Sequence, residues 1–408
     1  MIKRMTFRQF LFILPLLVIV AVFSIYPILS SFVYTAFDYR LNDQQHNRLF
    51  LSSAFNNRIF HRNADHIVFF LDNEIFVAES AETTMAFIAL QEYIQTFISP
   101  LEGQEDVRRI SSTEYEALVG FISDVEERLN NIYEANPETP FFHREEMPIL
   151  IEAMRDCFID HNFIGLANYE RLLRDSRFWR ALRTTLIFTV ISVAIELVLG
   201  MALALMMNKA IRGIGPLRTT ALIPWAIPTA VAALMWSYLY DGSNGVVSHI
   251  FAAVGFIESP TSMLLTAQGA LASAILADVW KTTPYIAILL LAGLQVIDRS
   301  LYESSSIDGA DAIHTFRKIT LPMLKSSILV ALLFRTLDAF RVYDLIAVLT
   351  GGGPGGATET LSIYAHRLMI GQSNYGYGST IVVAMFFCVA IIAFLFVKVM
   401  GAEVISNE

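Results

Sequence analysis

The stretch YESSSIDGADAIHTFRKITLPML, residues 302–324, lies between two of the most apolar segments of the chain. It is polar, carries charges of both signs and contains the dipeptide Leu321-Pro322 near its end. Two membrane-crossing helices can be joined by a loop of about five residues. A segment of this length therefore predicts either a helix–turn–helix that lies on the membrane, or an element that another protein holds.

The composition indicates a membrane protein. Apolar residues make up 55% of the 408 residues and charged residues only 16%, whereas soluble domains are about 45–50% apolar and about 25% charged. Six apolar stretches reach the roughly 20 residues that a helix needs to cross a bilayer. They are about 10–37, 184–208, 218–240, 271–297, 326–349 and 377–400. The first is too long for the apolar part of a signal peptide, so we expect a retained anchor.

Lysine and arginine in the short connections predict the orientation, because these residues favour the cytoplasmic side. They occur in the N-terminus, in the 209–218 loop and around the opening segment, as Lys3, Arg4, Arg8, Lys209, Arg212, Arg218, Arg299, Arg317, Lys318 and Lys325. In the alternate loops, 241–270 and 350–376, Arg367 is the one lysine or arginine residue. We therefore expect both termini to be cytoplasmic and residues 38–165 to lie outside.

A second basic cluster contradicts this rule. Arg174, Arg177, Arg180 and Arg183 lie at the expected outer end of the second span. Long outer domains are largely exempt from the charge rule. Residues 170–183 also have the pattern of an amphipathic helix on the membrane surface.

Residues 38–165 differ in charge from the rest. Residues 41–160 contain 22 Asp and Glu against 8 Arg and no Lys, a balance that argues against a nucleic-acid partner. We expect a small α+β domain here. "FFLDNEIFV" (69–77) has the pattern of two strands around Asp72-Asn73, and 112–134 has the apolar spacing of an amphipathic helix.

The sequence gives only weak signals for a metal site or a disulfide. His61 and His66 flank Asp65, but solvated loop histidines are the better interpretation. Cys157 and Cys388 lie far apart and have no zinc-ligand spacing. We expect no metal site and two unpaired thiols.

Within the opening segment, Asp308-Gly309-Ala310 is expected to interrupt a helix, because glycine adopts turn conformations readily. The helix can resume at Ala312, and Pro322 can occupy the first turn of the fifth span. These residues resemble the cytoplasmic signature of binding-protein-dependent ABC transporter permeases. The matching residues are Glu303, Asp308, Gly309, Ala310, Phe316, Ile319, Leu321 and Pro322. The small residues Ser304 and Ser305 stand where the family often has alanines.

Further stretches resemble the sugar and glycerol-phosphate importers, or maltose-type permeases, of this family. They are 163–189, 222–241, "WKTTPY" (280–285) and "LTGGGPGGATETL" (349–361). The resemblance implies an all-α polytopic fold in a prokaryotic inner membrane. Its parts are a first helix (1–37), an insertion (38–165), a permease core (166–400) with a coupling segment (298–325), and a tail (401–408).

The chain has no ATP-binding loop of its own. No glycine is followed by lysine, so there is no Walker A motif, and "GGGPGG" (351–356) is better interpreted as an external turn. We expect no catalytic residues and no cofactor in this chain, with ATP and magnesium bound by partner ATPase subunits. The resemblance implies four partners or surroundings: a second permease, an ATPase dimer, an extracytoplasmic binding protein and membrane lipid.

Ionisable residues inside spans usually face a cavity or a partner. In the fifth span Arg335, Asp338, Arg341 and Asp344 recur every three residues, as a structural ladder or as a substrate site. Glu196 in the second span is either a packing or a pathway residue. Pro224 and Pro228 are expected to break the third span, and irregular backbone at that depth must line protein or water.

By resemblance, ten residues match positions that line the sugar site of maltose-type permeases. They are Trp225, Thr229, Asp278, Lys281, Thr282, Tyr285, Arg335, Asp338, Ala339 and Val342. Aromatic faces stack on sugars and carboxylates accept hydroxyl protons. The basic residues of this set also suit a phosphorylated ligand, unless their acidic neighbours neutralise them.

The sequence thus predicts the permease subunit of an ATP-driven carbohydrate importer. An importer of glycerol phosphate or another small anion is the alternative, and a membrane receptor is a third. We also expect the acidic insertion to dock the binding protein, with a solubility cap as the alternative.

Overall fold

The computed structural model describes residues 7–43, 45–209 and 214–406. The chain forms two compact units. Phe37–Ile164 is the insertion unit, and Met1–Ala36 with Gly165–Glu408 is the helical unit. Lys3, Arg4 and Arg212, which contribute to the predicted orientation, lie outside the described residues.

Helices and strands are numbered along the chain. Up to the end of the insertion unit they are α1 Phe7–Val20, α2 Tyr26–Tyr34, β1 Ala54–Asn56, α3 Asn57–Val77, α4 Ala81–Ile98, β2 Val107–Arg109, α5 Ser112–Ala135, α6 Met147–Arg155 and β3 Phe158–Ile159. The helical unit continues with α7 Ala167–Arg174, α8 Ser176–Asn208, α9 Ile214–Ala221, α10 Ile223–Ala226, α11 Thr229–Leu239, α12 Val246–Ala253, α13 Ser262–Leu265, α14 Ala267–Val296, α15 Arg299–Ile307, α16 Ala312–Thr315, α17 Leu321–Met323, α18 Lys325–Phe340, α19 Asp344–Leu349, α20 Leu361–His366 and α21 Tyr375–Ser406.

Four described helical stretches are long and apolar enough to cross a membrane. They are Leu11–Tyr34, Ser176–Asn208, Ala267–Val296 and Tyr375–Val399. A fifth crossing is available if Ala312–Met323 and Lys325–Phe340, which meet at a bend of 65°, form one broken span. The first, second, fourth and sixth expected spans coincide with these four stretches, and the fifth corresponds to the broken pair. The third expected span contains only the shorter apolar helix Thr229–Leu239 and is not among them.

The third predicted span is divided among α9, α10 and α11. Pro224 lies in the first turn of α10, and Pro228, in an extended conformation, directly precedes α11. Proline lacks the N–H that an inner helical turn needs and clashes with the preceding turn. The predicted break at these prolines is therefore confirmed.

The fifth predicted span ends earlier than expected. Its helix α18 stops at Phe340, and α19 starts only at Asp344. Between them, the carbonyl of Val342 accepts a hydrogen bond from the Thr360 hydroxyl at 3.2 Å. A tertiary contact thus satisfies a backbone group that a continuous helix would have used.

Helices α8 and α14 pack closely in the helical unit. A Cβ atom on Gly200 of α8 would lie 2.7 Å from Cγ2 of Ile286 and 3.3 Å from the backbone nitrogen of Ala287. Only glycine permits this approach, so the backbones of the two long helices are held together at this level.

The insertion unit is an α+β domain, as expected. Its three-stranded antiparallel sheet has the order β2-β1-β3, with Phe55 opposite Arg108 on one side and Phe158 on the other. Phe55, Phe60 and Phe121 are fully or almost fully buried in the core formed with the helices. The two ends of the insertion lie together, since the Asp38 N–H donates to the Asn162 carbonyl at 2.9 Å.

The strand prediction for 69–77 is wrong, because these residues form the last turns of α3. Phe60, Ala64, Ile67 and Leu71 are completely buried at helical spacing. This 3.6-residue period extends through the short apolar run and decides its structure. His61 and His66 consequently lie on a helix and not in a loop, with Nδ1 of His61 3.5 Å from Asp65.

The helix predicted for 112–134 is confirmed as α5. Ser111 caps it: its hydroxyl accepts from the Glu114 N–H at 3.2 Å, and the Glu114 carboxylate accepts from the Ser111 N–H at 3.0 Å. Both cysteines are free, as expected. Burial raises the pKa of the Cys157 thiol to about 12.

The single amphipathic helix predicted for 170–183 is also wrong. Helix α7 ends at Arg174, and Asp175 caps α8 through the Arg177 N–H at 2.8 Å. Asp175 also accepts hydrogen bonds from the hydroxyls of Tyr364 and Tyr377, both at 2.5 Å. Burial favours the neutral acid, but these hydrogen bonds outweigh it and lower the pKa of Asp175.

Candidate functional site

The opening segment forms two short helical arms joined by a tight turn. Helix α15 ends at Ile307, and Gly309 has a φ of +74°, which interrupts the helix as predicted. The Ala310 N–H donates to the Ser305 carbonyl at 3.0 Å. The Ser305 side chain is buried and its hydroxyl lies 2.9 Å from that of Thr315, so this serine links the two arms.

The turn leaves an open groove and exposed apolar side chains. The groove has a volume of about 700 Å³ and is lined by both arms around Gly309. Ile307 is 86% exposed and Ile313 is 65% exposed. Apolar side chains exposed beside a cavity are typical of a surface that binds another protein.

The remaining signature residues lie on the same two arms or directly after them. Glu303 and Asp308 are exposed on the first arm, whereas Phe316 is half-buried at the start of a short π-helical stretch. Pro322 lies in the first turn of α17 and not, as expected, in the first turn of the fifth span, whose helix α18 begins at Lys325. The 65° bend then leads into α18.

A buried ion cluster lies between α8, α14 and α18. Arg335 is only 2% exposed, and its guanidinium donates to both carboxylate oxygens of Glu196, at 2.6 and 2.9 Å. It also donates to Asp278. Glu196 and Asp278 are themselves buried. Each charge therefore has an opposite charge within hydrogen-bond distance, which burial in a helical bundle requires.

The cluster continues toward an exposed carboxylate. Asp338 lies 3.1 Å from Arg335 and is 60% exposed. Thr282 donates to Glu196 at 2.6 Å. Lys281 is mostly buried and its Nζ lies 3.4 Å from the carbonyl oxygen of Trp225. Arg335 and four residues linked to it directly or through Glu196 thus form one polar network: Glu196, Asp278, Thr282 and Asp338.

Two aromatic rings lie beside this network. The ring centroids of Trp225 and Tyr285 are 5.8 Å apart with an angle of 22° between the planes, and Trp225 is 47% exposed. Trp225 belongs to α10, between the two proline-induced breaks. Thr229 begins α11, directly after the second break. The interrupted helix therefore presents an aromatic face next to the ion cluster.

Two of the ten pathway candidates lie elsewhere. Ala339 is buried in an apolar cluster with Leu345 and Ile346, and Val342 packs on the same cluster. The structure therefore brings together Trp225, Lys281, Thr282, Tyr285, Asp278, Arg335 and Asp338, but not these two residues. Thr229, the tenth candidate, begins α11 and forms no side-chain hydrogen bond with the described residues of this group.

The charge ladder of the fifth span is only partly formed. Arg335 pairs with Asp338 at 3.1 Å, and Arg341 lies 3.9 Å from Asp338. Asp344 begins a separate helix and makes no ion pair among the described residues. The main partners of Arg335 come instead from other helices.

Glu196 is the residue that sequence reasoning left unassigned. It is 139 positions from Arg335, and no local spacing connects them. An isolated carboxylate in an apolar helix does signal that a cationic partner exists. The sequence alone did not identify whether Lys281, Arg335 or Arg341 is this partner.

The glycine-rich stretch 351–356 forms tight turns, as predicted. Gly351, Gly352, Gly355 and Gly356 all have positive φ. Nearby, Glu359 accepts hydrogen bonds from Arg177 at 2.8 Å and from Arg367 at 2.6 Å. Burial favours neutral Glu359, but the two guanidinium groups prevail and lower its pKa.

Comparison with known proteins identifies the family. Residues 196–405, just over half of the chain, match the family described as "binding-protein-dependent transport system inner membrane component". The chain belongs to this family. The match contains the turn at Gly309 and the ion cluster, whereas the insertion unit lies before it.

Two named relatives from this transport family are sugar permeases. One is the trehalose/maltose transport system permease protein of Thermococcus litoralis, 44% identical over 237 residues, which cover 58% of this chain and 79% of that protein. Another is the trehalose transport system permease protein of Mycobacterium tuberculosis, 43% identical over 249 residues, which cover 61% and 78%.

A solved structure has the same fold. It belongs to a bacterial ABC transporter involved in the import of the acidic polysaccharide alginate. It aligns with a TM-score of 0.54 and 21% identity, covering 69% of this chain and 98% of that one. At this identity the similarity concerns the architecture alone. The family match shows that the chain is a membrane component of a binding-protein-dependent transport system.

The ion cluster gives a first prediction. Arg335→Gln leaves two buried carboxylates without their cation, so we expect it to destabilise the protein by about 3–5 kcal/mol. Adding Glu196→Gln should restore part of the loss, because one of the unpaired charges is then removed. The measurement is the thermal denaturation of the purified protein.

The matched control for this cycle is Arg341→Gln. Its guanidinium is exposed and lies 3.9 Å from Asp338, and exposed ion pairs contribute about 0–1 kcal/mol. Equal melting temperatures for Arg335→Gln and Arg341→Gln would show that the cluster does not stabilise the bundle.

Proposed function

We propose that the chain is the permease subunit of an ATP-driven importer that translocates a neutral carbohydrate. The observation that carries the proposal is an exposed aromatic face, Trp225 on Tyr285, beside the ion pairs of Arg335 with Glu196, Asp278 and Asp338. Aromatic faces suit the C–H surfaces of sugars, and the exposed carboxylate of Asp338 suits their hydroxyl groups.

The charge balance favours a sugar over an anion. The three carboxylates of Glu196, Asp278 and Asp338 pair with Arg335, and Arg341 lies 3.9 Å from Asp338. Lys281 lies beside them but contacts the carbonyl of Trp225. Three acids and three bases make the formal charge of this group zero, so the site has no net positive charge that would favour a phosphate. Trehalose and maltose, named for two relatives, belong to the neutral class.

The transporter requires partners. We infer a second permease, a pair of ATPase subunits and a binding protein outside the membrane, with both termini of this chain in the cytoplasm. The groove at Gly309 and the exposed Ile307 support an ATPase contact. The chain contains no Walker A sequence, so ATP and magnesium belong to the partners.

The aromatic face gives the second prediction. Trp225→Ala should reduce substrate affinity by about 2- to 10-fold, because the stacking surface is lost, whereas Trp225→Phe should keep most of it. The measurement is uptake of labelled trehalose, maltose and glycerol 3-phosphate by the assembled importer in liposomes. Transport of glycerol 3-phosphate but of neither sugar would contradict the proposed substrate class.

The third prediction concerns coupling. Gly309→Val places a β-branched residue at a φ of +74°, where side chains are strained. No atom lies within 4 Å of the added Cβ, so the effect is on the backbone and not on packing. We expect ATPase activity that no longer responds to substrate, with normal membrane insertion.

Gly309→Asn is the matched control, because asparagine tolerates the left-handed conformation much better than valine. It should keep most of the substrate-stimulated ATPase activity. If both variants couple like the natural protein, the turn has no role in transmitting energy.

We further propose that the insertion unit docks the binding protein. Support comes from its composition, since residues 41–160 have a formal charge of −14. An acidic surface attracts a basic partner, with an interaction range of about 8 Å at physiological salt.

The fourth prediction tests this docking by deletion. Since the backbones of Asp38 and Asn162 are hydrogen-bonded, a short Gly/Ser bridge can replace residues 42–160. We expect weaker binding of the binding protein, with the difference shrinking as salt rises. Unchanged affinity and uptake would leave the insertion as a solubility cap, and a loss without salt dependence would reject its electrostatic cause.

A further inference from the structure

Four arginines surround a cavity at the first turns of α8. The cavity has a volume of about 670 Å³ and is lined by Arg177, Arg180, Arg183 and Arg367, together with the start of α14 and the turn at 355–357. It belongs entirely to the helical unit. The proposed transport cycle gives it no role, and its positive charge contradicts the charge rule noted in the sequence.

Two of these arginines are available for a ligand. Arg177 and Arg367 are held by Glu359, the one acidic residue of the lining. Arg180 and Arg183 form no ion pair with any described residue of the helical unit, and both are exposed. The cavity therefore has a positive excess carried by two side chains.

The cavity changes from polar to apolar along α8. Ile187 and Leu271 line it one turn beyond the arginines. Arg183, Leu186 and Val190 follow at the spacing of one helix face, and Leu186 and Val190 are exposed apolar residues. About 10 Å of helix separates Arg183 from Val190. This order, guanidinium groups followed by exposed aliphatic side chains, matches a lipid from headgroup to acyl chain.

We propose that this cavity binds the headgroup of an anionic phospholipid. The phosphodiester lies between Arg180 and Arg183, because guanidinium groups bind phosphate oxygens in a bidentate manner. The acyl chains follow Ile187, Leu186 and Val190 along α8. The amide end of α14, a helix of 30 residues that starts at Ala267, adds a further positive potential.

A lipid fits these observations better than an acidic protein surface. Ser176–Asn208 is one of the stretches long and apolar enough to cross a membrane, so Arg180 and Arg183 lie within its first turns. A protein partner would have to satisfy the arginines and also cover the aliphatic stripe below them. One phospholipid molecule does both. The arginines lie at the end of the apolar stretch, where lipid headgroups meet the acyl chains.

The experiment measures lipid binding to the purified, assembled transporter by native mass spectrometry. The lipids are phosphatidylglycerol and, as the zwitterionic control, phosphatidylcholine. The variant is Arg180→Gln with Arg183→Gln. The matched control is Arg174→Gln, whose exposed guanidinium pairs with Glu170 and does not line the cavity.

Each arginine near an anionic headgroup contributes about a fivefold increase in binding. We therefore expect the double variant to bind phosphatidylglycerol about 25-fold more weakly, with phosphatidylcholine unchanged and the control within about twofold. Replacing both residues by lysine keeps the charge and should restore most of the affinity. If the double glutamine variant does not fold, Arg183→Gln alone should show the fivefold loss.

Three results would overturn the proposal. The first is equal phosphatidylglycerol binding by the double variant and the control. The second is displacement of the lipid by inorganic phosphate at equal concentration, which would indicate a site for free anions. The third is unchanged lipid binding with weaker binding of the substrate-binding protein, which would make the cavity a protein-docking surface.

Discussion

The guanidinium of Arg335 is the interaction on which the helical unit depends. A buried cation in an apolar bundle is tolerated only if carboxylates surround it, and Glu196 and Asp278 reach it from two other helices. These contacts fix the register of α8, α14 and α18 relative to one another. Asp338 extends the same network to an exposed position, so the core and the candidate site share one set of charges.

The site also depends on a helix that is broken. An intact third span would satisfy its own backbone, whereas α10 leaves the carbonyl of Trp225 free to accept from Lys281. The prolines thus place a polar backbone atom and an aromatic ring next to the ion cluster. Stable long helices provide the frame, and the irregular segment provides the contact surface.

Features controlled by local chemistry could be predicted from the sequence. The turn at Gly309, the proline breaks and α5 follow from the conformational limits of glycine and proline and from apolar spacing. Long-range contacts could not. The pair Glu196–Arg335 spans 139 positions, and the end of the fifth span depends on a hydrogen bond from Thr360. The sequence thus singled out Glu196 and Arg335 as candidate residues, but only the folded structure showed that they contact each other.

The bend at Leu324 means that a change of angle there displaces the residues of α18 in proportion to their distance from the bend. Arg335 is ten residues beyond Lys325, or about 15 Å along the helix axis. A tilt of about 10° at the bend would shift Arg335 sideways by about 2.5 Å, given that rise per residue. This shift is comparable to the length of a hydrogen bond, so a tilt of this size at the bend would change the distances from Arg335 to its carboxylate partners.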